Sequence, residues 1–449
     1  MAPTLILVNP WIYDFAAYDL WSKPLGLLYL AGFLRASGFN VHLIDCLDVH
    51  HPAMDATEKQ PTRRAYGTGK FRRQQIPTPL PLMNVKRPYS RYGLSVRVFE
   101  QTLRAIENPA AILVTSLMTY WYPGVKEAIN LSKRIHPSVP ILLGGIYAKL
   151  CYDHALENMG ADRIVTDDNP ASLLETLNEY DIADPGPVHG SGRPSYPAFD
   201  LLSRIDYVCI ATSSGCPNRC RYCASHFLNP SLKQRDPGEA LEEILFWHQD
   251  FGIRDFAFYD DALLIGAKDH LAIILEGIAR LDLDLRFHTP NALHIKEITL
   301  EIATLMRRTG FITIRLGLET SDFSSRRKLD NKVGEGDFEQ AVGNLHQAGF
   351  NKKEIGAYVL IGLPGQSVDS VLQTLKFVEK AGAVPYLSEY SPVPHTSLWE
   401  KALSHSEYDL AGEPLFHNNT LLPCWDDGRR SDLARLKRHV LEIRHINSQ

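Results

Sequence analysis

From about residue 205 onward, short apolar runs alternate with amphipathic segments, and this alternation confines the second half of the chain to a parallel α/β architecture. The runs are Tyr207–Thr212, Arg254–Tyr259, Leu283–His288, Ile312–Leu318, Glu354–Ile361 and Val384–Tyr390, with helices predicted at about 268–281, 296–309, 335–348 and 367–381. The helix after the first run is the best signposted. Asp236 caps it, Pro237 takes its first position and Glu239 completes a capping box. Ala240, Leu241, Ile244 and Leu245 then share a face, and Gly252 follows the end. Right-handed crossovers curl six such units into a full or partial barrel. Chemistry in such barrels gathers at the C-terminal ends of the strands.

Those ends are chemically loaded. After the first comes Ser214-Gly-Cys-Pro-Asn-Arg-Cys-Arg-Tyr-Cys-Ala-Ser-His226, with Cys216, Cys220 and Cys223 spaced CxxxCxxC and Tyr222 just before the third. Three thiolates on one loop leave a metal centre one ligand short. An iron–sulfur cluster normally takes four cysteines, so one iron here stays open to an exchangeable ligand. His226 completing a four-ligand zinc site is the alternative; three clustered thiols cannot pair evenly as disulfides. The other ends read Tyr259-Asp260-Asp261, Thr289-Pro-Asn291, Gly317-Leu-Glu319-Thr320, Ile361-Gly-Leu-Pro-Gly365 and Glu389-Tyr-Ser-Pro-Val-Pro394. Glu319 is placed to accept hydrogen bonds from a ribose or an amino group. Gly362 and Gly365 let backbone approach a ligand closely. Asp260, Asp261 and Asn291 are candidates for ribose hydroxyls or substrate, with an ordinary turn and solvated carboxylates as the alternative.

The cysteine loop and these strand ends resemble the radical S-adenosylmethionine (SAM) superfamily. The resemblance implies an open six-strand barrel, a partial (βα)6 TIM-type fold, with Cys216, Cys220 and Cys223 holding a 4Fe–4S cluster. In that family SAM chelates the fourth iron, and an electron from the cluster cleaves it to a 5′-deoxyadenosyl radical. An external donor such as flavodoxin or ferredoxin is then expected as a partner. Tyr222, Asp260, Asn291, Glu319, Gly362 and Gly365 become expected SAM contacts.

The first half alternates in a different style. Leu5–Val8, Val41–Ile44, Ile112–Thr115, Ile141–Leu143 and Arg163–Thr166 read as strands, with helices at 24–35 and 125–134. Five parallel strands with helices on both faces predict a flavodoxin-like, doubly wound sheet. Its strand ends carry Asn9-Pro-Trp11, Thr115-Ser-Leu-Met-Thr119 and Gly144-Gly-Ile-Tyr147, and resemble the cobalamin-binding domain that precedes many radical SAM barrels. That resemblance implies cobalamin contacts at Asn9, Thr115, Ser116, Gly144 and Gly145. One departure matters. Family members that ligate cobalt from below carry a histidine in the loop after the first strand, where this chain reads Asn9-Pro-Trp-Ile-Tyr-Asp14. Asp48-Val-His50-His-Pro52 looks similar but follows the second strand. Cobalamin is therefore expected without a histidine ligand, its lower face covered by Thr115, Ser116, Trp11, Tyr120 or Trp121.

The predicted organisation is a cobalamin-binding-like domain over 1–180 with a basic insertion at 46–98, a linker at 181–204, a barrel over 205–395 and a tail with a helix over 396–449. Residues 61–95 hold eight Lys or Arg and no acid, a run suited to gripping an anionic substrate or the cofactor's phosphate. Nucleic-acid binding needs a more continuous basic face. In the tail, His417, Asn418 and Asn419 are candidates to close the barrel mouth and touch substrate, with an ordinary polar loop as the equal alternative. A net charge of −5 over 449 residues gives no global argument for a polyanionic partner. Seven cysteines without a secretory leader suit a reducing cytoplasm, and no apolar run is long enough to span a bilayer. The resemblance implies a cobalamin-dependent methyltransferase acting on an unactivated carbon of a small-molecule, lipid or peptide substrate. A non-methylating radical reaction with a cobalamin-free first domain, and an electron-transfer or sensing protein, are the competing readings.

Overall fold

Runs of apolar residues become parallel strands where helices cover both faces, and this chain builds two such sheets. The computed structural model describes residues 2–54, 61–186, 195–326 and 329–446. They fall into two units, Met1–Asp206 with Glu413–Leu415, and Tyr207–Gly412 with Phe416–Gln449.

In the first unit, β1 (Thr4–Asn9), β2 (Asn40–Asp45), β3 (Ala111–Val114), β4 (Ile141–Leu143) and β5 (Arg163–Ile164) form a parallel sheet in the order β2-β1-β3-β4-β5. This is the expected flavodoxin-like winding. Its switch point, where the β1 and β3 connections diverge, is where ligands bind in such folds. The helix Leu25–Ala36 packs Leu27, Ala31 and Leu34 against Leu5, Leu7 and Leu113.

Two segments differ from the sequence reading. The expected linker at 181–204 is not a free connection along its described length after residue 194. Ala198 N–H donates to Leu28 O at 2.9 Å, and the Arg35 guanidinium grips Asp200 through two bonds of 2.8 Å. Gly32 makes this crossing possible, because a Cβ there would lie 2.1 Å from Tyr196 O. Residues 187–194 and 55–60, parts of the predicted linker and insertion, lie outside the described residues. The rest of the 46–98 insertion is folded. Arg73–Gln75 and Ser90–Tyr92 form an antiparallel sheet with Ile12–Asp14, and Gly69–Lys70 pairs with Tyr18–Asp19. Phe71 and Tyr92 are buried with Ile12, Ala17, Leu47 and Val49. Some of its basic charge is neutralised internally: Arg63 pairs with Asp19 at 2.6 Å, and Arg91 with Glu127 at 3.5 Å.

In the second unit, β6 (Val208–Ile210), β7 (Asp255–Phe258), β8 (Arg286–His288), β9 (Phe311–Glu319), β10 (Ile355–Ile361) and β11 (Val384–Glu389) run parallel in sequential order. Six strands in this order, each followed by a helix, make the partial barrel read from the sequence. The helix Pro237–Phe251 starts where predicted: the Asp236 carboxylate accepts from Gly238 N–H at 2.8 Å and Glu239 N–H at 3.1 Å, and Gly252 ends it at φ +70°. No helix among the described residues is long and apolar enough to cross a membrane.

Candidate functional site

The cysteine loop leaves β6 and is held from three sides. Gly215, at φ +77°, passes so close to Ser231 that a Cβ would sit 2.3 Å from its carbonyl. Arg221 N–H donates to Leu329 O, and Leu398 N–H to Arg221 O, both at 2.9 Å. Asp260, at the end of β7, is buried and accepts from Thr212 N–H at 3.0 Å, Thr212 Oγ1 at 2.8 Å and Ser213 Oγ at 2.7 Å. The carboxylate expected to contact a ligand fastens the root of the loop in this structure. Asn291 spends its amide on Tyr259 O at 2.9 Å, while Asp261 accepts from Ser225 Oγ at 2.6 Å.

Burial pushes all three loop thiols up, Cys220 to about 11. Thiolate ligation therefore requires a cationic centre to stabilise it. Among the described residues, no three of His, Cys, Asp and Glu converge as the ligand set of a single ion. Ligands of a four-iron cluster sit on different irons and lie farther apart than those of one ion, so a three-cysteine loop is compatible with the cluster.

Beside the loop stands an arrangement that sequence reasoning caught only in part. β9 is bulged at Gly317–Glu319, and Glu319 is a non-glycine residue at φ +63°. Such backbone costs of order 1–3 kcal/mol and persists only when its surroundings impose it. Here the buried Arg326 donates to the carbonyls on both sides, Leu318 O at 2.5 Å and Thr320 O at 2.8 Å. The conformation aims the Glu319 carboxylate at the cysteine loop, where it accepts from Tyr222 OH at 3.1 Å and Lys332 Nζ at 2.5 Å. Gly317 keeps the space clear, since a Cβ would lie 2.9 Å from Lys332 Nζ. Lys332 was missed from sequence. Its only signal is being a lysine in the loop that follows the Glu319 strand end. His294 was missed as well: its Nε2 lies 3.7 Å from Cys216 Sγ, and burial pulls its pKa down to about 4, so the ring is neutral.

Gly362 and Gly365 adopt φ +90° and +77°, so the β10 end needs glycine at both. Leu422 from the tail covers Gly362, 2.9 Å from where a Cβ would be. The tail residues expected to touch substrate do not face outward. His417 and Asn418 are buried, His417 Nε2 against Leu410 O at 2.8 Å and Asn418 Oδ1 accepting from Thr420 N–H at 2.9 Å.

At the strand ends of the first unit, Gly145 at φ +96° approaches β3 so closely that a Cβ would lie 2.3 Å from Ser116 O. Ser116 is buried, and its hydroxyl donates to Gly144 O at 2.6 Å and accepts from Ala148 N–H at 3.2 Å. It therefore clamps the two loops together. Asn9 is likewise buried, donating to Asp45 Oδ1 at 2.7 Å. Trp11 packs on Phe99 and donates to Leu94 O. His50 pairs with Asp206 at 2.7 Å. What the strand ends do present is apolar: Met118 after β3 and Ile146 after Gly145 are both exposed.

Comparison with known proteins agrees with both halves. Residues 210–378 match the radical SAM superfamily and residues 89–173 the B12-binding domain. The chain thus joins a radical SAM domain to a B12-binding domain. Among relatives, an uncharacterised methyltransferase of Pyrococcus horikoshii is 24% identical over 254 residues, 54% of this chain and 50% of that protein. The cytidylyl-2-hydroxyethylphosphonate methyltransferase of Streptomyces wedmorensis is 19% identical over 445 residues, 84% of this chain and 77% of that one. The chain spans about half the length of several relatives it matches. Among solved structures, the radical SAM methyltransferase TsrM from Kitasatospora setae, with cobalamin and a [4Fe-4S] cluster bound, shares the fold at a TM-score of 0.63 and 16% identity, covering 96% of this chain and 83% of that one.

Proposed function

We propose that the protein is a cobalamin-dependent radical SAM methyltransferase, with a 4Fe–4S cluster held by Cys216, Cys220 and Cys223. Bound together, the cluster, SAM and cobalamin supply a 5′-deoxyadenosyl radical and a transferable methyl group, and the protein supplies position and a dry environment. The observation that carries the reading is the strained Glu319, whose carboxylate is turned onto the cysteine loop through Tyr222 and Lys332. A carboxylate there is placed to accept from the amino or ribose groups of SAM. Tyr222 and Lys332 fix its direction. Gly362 and Gly365 admit the nucleoside against backbone. In the first unit, Ser116 and Gly145 lock the β3 and β4 ends, so that Met118 and Ile146 present a fixed apolar seat to the corrin. With no histidine in the loop after β1, and His50 tied to Asp206, the corrin is held without a histidine below it. An external one-electron donor and a substrate complete the system.

The test is anaerobic reconstitution with iron, sulfide and hydroxocobalamin, followed by incubation of an extract with methyl-labelled SAM. Label in a new product, lost in Cys216→Ala, Cys220→Ala and Cys223→Ala, supports the proposal. Label transfer that survives any of these substitutions refutes it.

A further inference from the structure

Barrel interiors are ordinarily filled by branched apolar side chains. This one carries charge, and most of that charge is cancelled in place. On its floor, Asp255 accepts from Arg286 Nε at 2.7 Å and pairs with His288 Nε2 at 3.1 Å, while His288 Nδ1 meets Thr313 Oγ1 at 3.0 Å. At its upper end Glu319 is matched by Lys332. Between them, on the face of β9 opposite Ile314 and Leu316, stands Arg315.

Arg315 forms no ion pair among the described residues. Its guanidinium donates to Ile314 O at 2.8 Å and Tyr386 OH at 3.3 Å, and lies over the Tyr386 ring at 4.2 Å. The opposite face of that ring is taken by Arg444 at 4.1 Å, from the helix Leu433–Ile446. Two guanidiniums therefore sandwich one tyrosine. Gly356 leaves room for this, since a Cβ would fall 2.7 Å from Tyr386 and 3.0 Å from the Arg315 stem. Arg315, Tyr358 and Tyr386 all retain partial solvent exposure. A guanidinium held rigid by neutral acceptors, Ile314 O and the Tyr386 and Tyr358 hydroxyls, with no carboxylate partner among the described residues, is a receptor for an anion. Across the bulge, Arg315 pairs with Gly356 and Glu319 with Val359, so the two stand about three strand residues apart, roughly 10 Å, a span that accommodates a small molecule between them.

We propose that Arg315 binds an anionic group of the substrate, a carboxylate or a phosphoryl group, inside the barrel, and so orients the opposite end of that molecule toward the cysteine loop. This rests on the function proposed above. Tyr386 holds the guanidinium flat, and Tyr358, whose hydroxyl donates to Pro290 O at 2.8 Å, walls the same space.

The experiment titrates inorganic phosphate and, separately, acetate into the reconstituted protein by calorimetry, with cluster and corrin absorbance recorded on the same samples. Wild type binds at least one anion in the millimolar range. Arg315→Met weakens that binding by at least about tenfold, and Arg315→Lys, which keeps charge but loses the planar fork, by about threefold. Whichever anion binds more tightly identifies the group. Absence of binding to wild type, or equal binding by Arg315→Met, overturns the proposal. Should Arg315→Met fail a thermal-melt check of folding, Arg315→Lys decides, and unchanged affinity there overturns it. Missing cluster and corrin bands refute the methyltransferase reading instead, and leave the anion result to stand on its own.

Discussion

Lys332→Met is the most informative single change for the geometry around the cysteine loop. It deletes the ammonium from a pair whose side chains are only 12% and 8% exposed, and leaves Glu319 buried on strained backbone. Removing one partner of a buried pair costs about 3–5 kcal/mol, because the remaining charge is uncompensated. Glu319 still accepts from Tyr222 OH, which returns part of the loss, so about 2–3 kcal/mol is expected. For a unit of this size that lowers the melting temperature by roughly 8 °C. Glu319→Gln in the same background removes the orphaned charge and recovers at least about 1 kcal/mol. The assay is thermal unfolding of the cluster-free protein for wild type, both single variants and the double variant. A shift below about 2 °C for Lys332→Met, or a cycle with no coupling energy, would refute the idea that this pair fixes Glu319.

Three further outcomes are expected. Gly145→Ala forces a side chain onto φ +96° and against Ser116 O, costing about 2–5 kcal/mol, and corrin absorbance after desalting should vanish while cluster absorbance persists. Burial pushes Asp45 up to about 6 from an ordinary 3.8, so its contribution to stability is complete below the lower value and is lost as pH rises through the upper one. Asp45→Asn should remove about 3 kcal/mol of that fall, read from chemical denaturation at pH 4 and pH 7; an unchanged pH slope would contradict the burial argument. Asp260→Ala strips three hydrogen bonds from the root of the cysteine loop and should cut iron retained after reconstitution several-fold; full iron content would mean that the loop does not depend on this anchor.

Both sheets were legible because their strands are apolar runs that turn signals interrupt, and because Asp236, Pro237 and Gly252 mark a helix at both ends. The 46–98 insertion was not. Its sheet reaches Ile12–Asp14, far away in sequence, and its arginines read as a grip for an anion although Arg63 and Arg91 are partnered within the fold. The cysteines and Glu319 were visible from spacing and strand-end position. Position alone does not say which way a side chain turns, and so the loop-fastening bonds of Asp260, Ser116 and Asn9 had no signal in the sequence. Lys332 and Arg315 had no sequence signature. The first becomes meaningful beside Glu319, the second because the barrel's other charges are cancelled.

The cysteine loop carries the account, and its metal content tests it most directly. Protein reconstituted anaerobically should hold about four irons and four sulfides per chain, with an electron paramagnetic resonance signal on reduction that changes when SAM is added. Cys216→Ala, Cys220→Ala and Cys223→Ala should each abolish it. One tightly bound zinc in place of iron, or a signal indifferent to SAM, would contradict the claim that the loop leaves an iron open for that ligand.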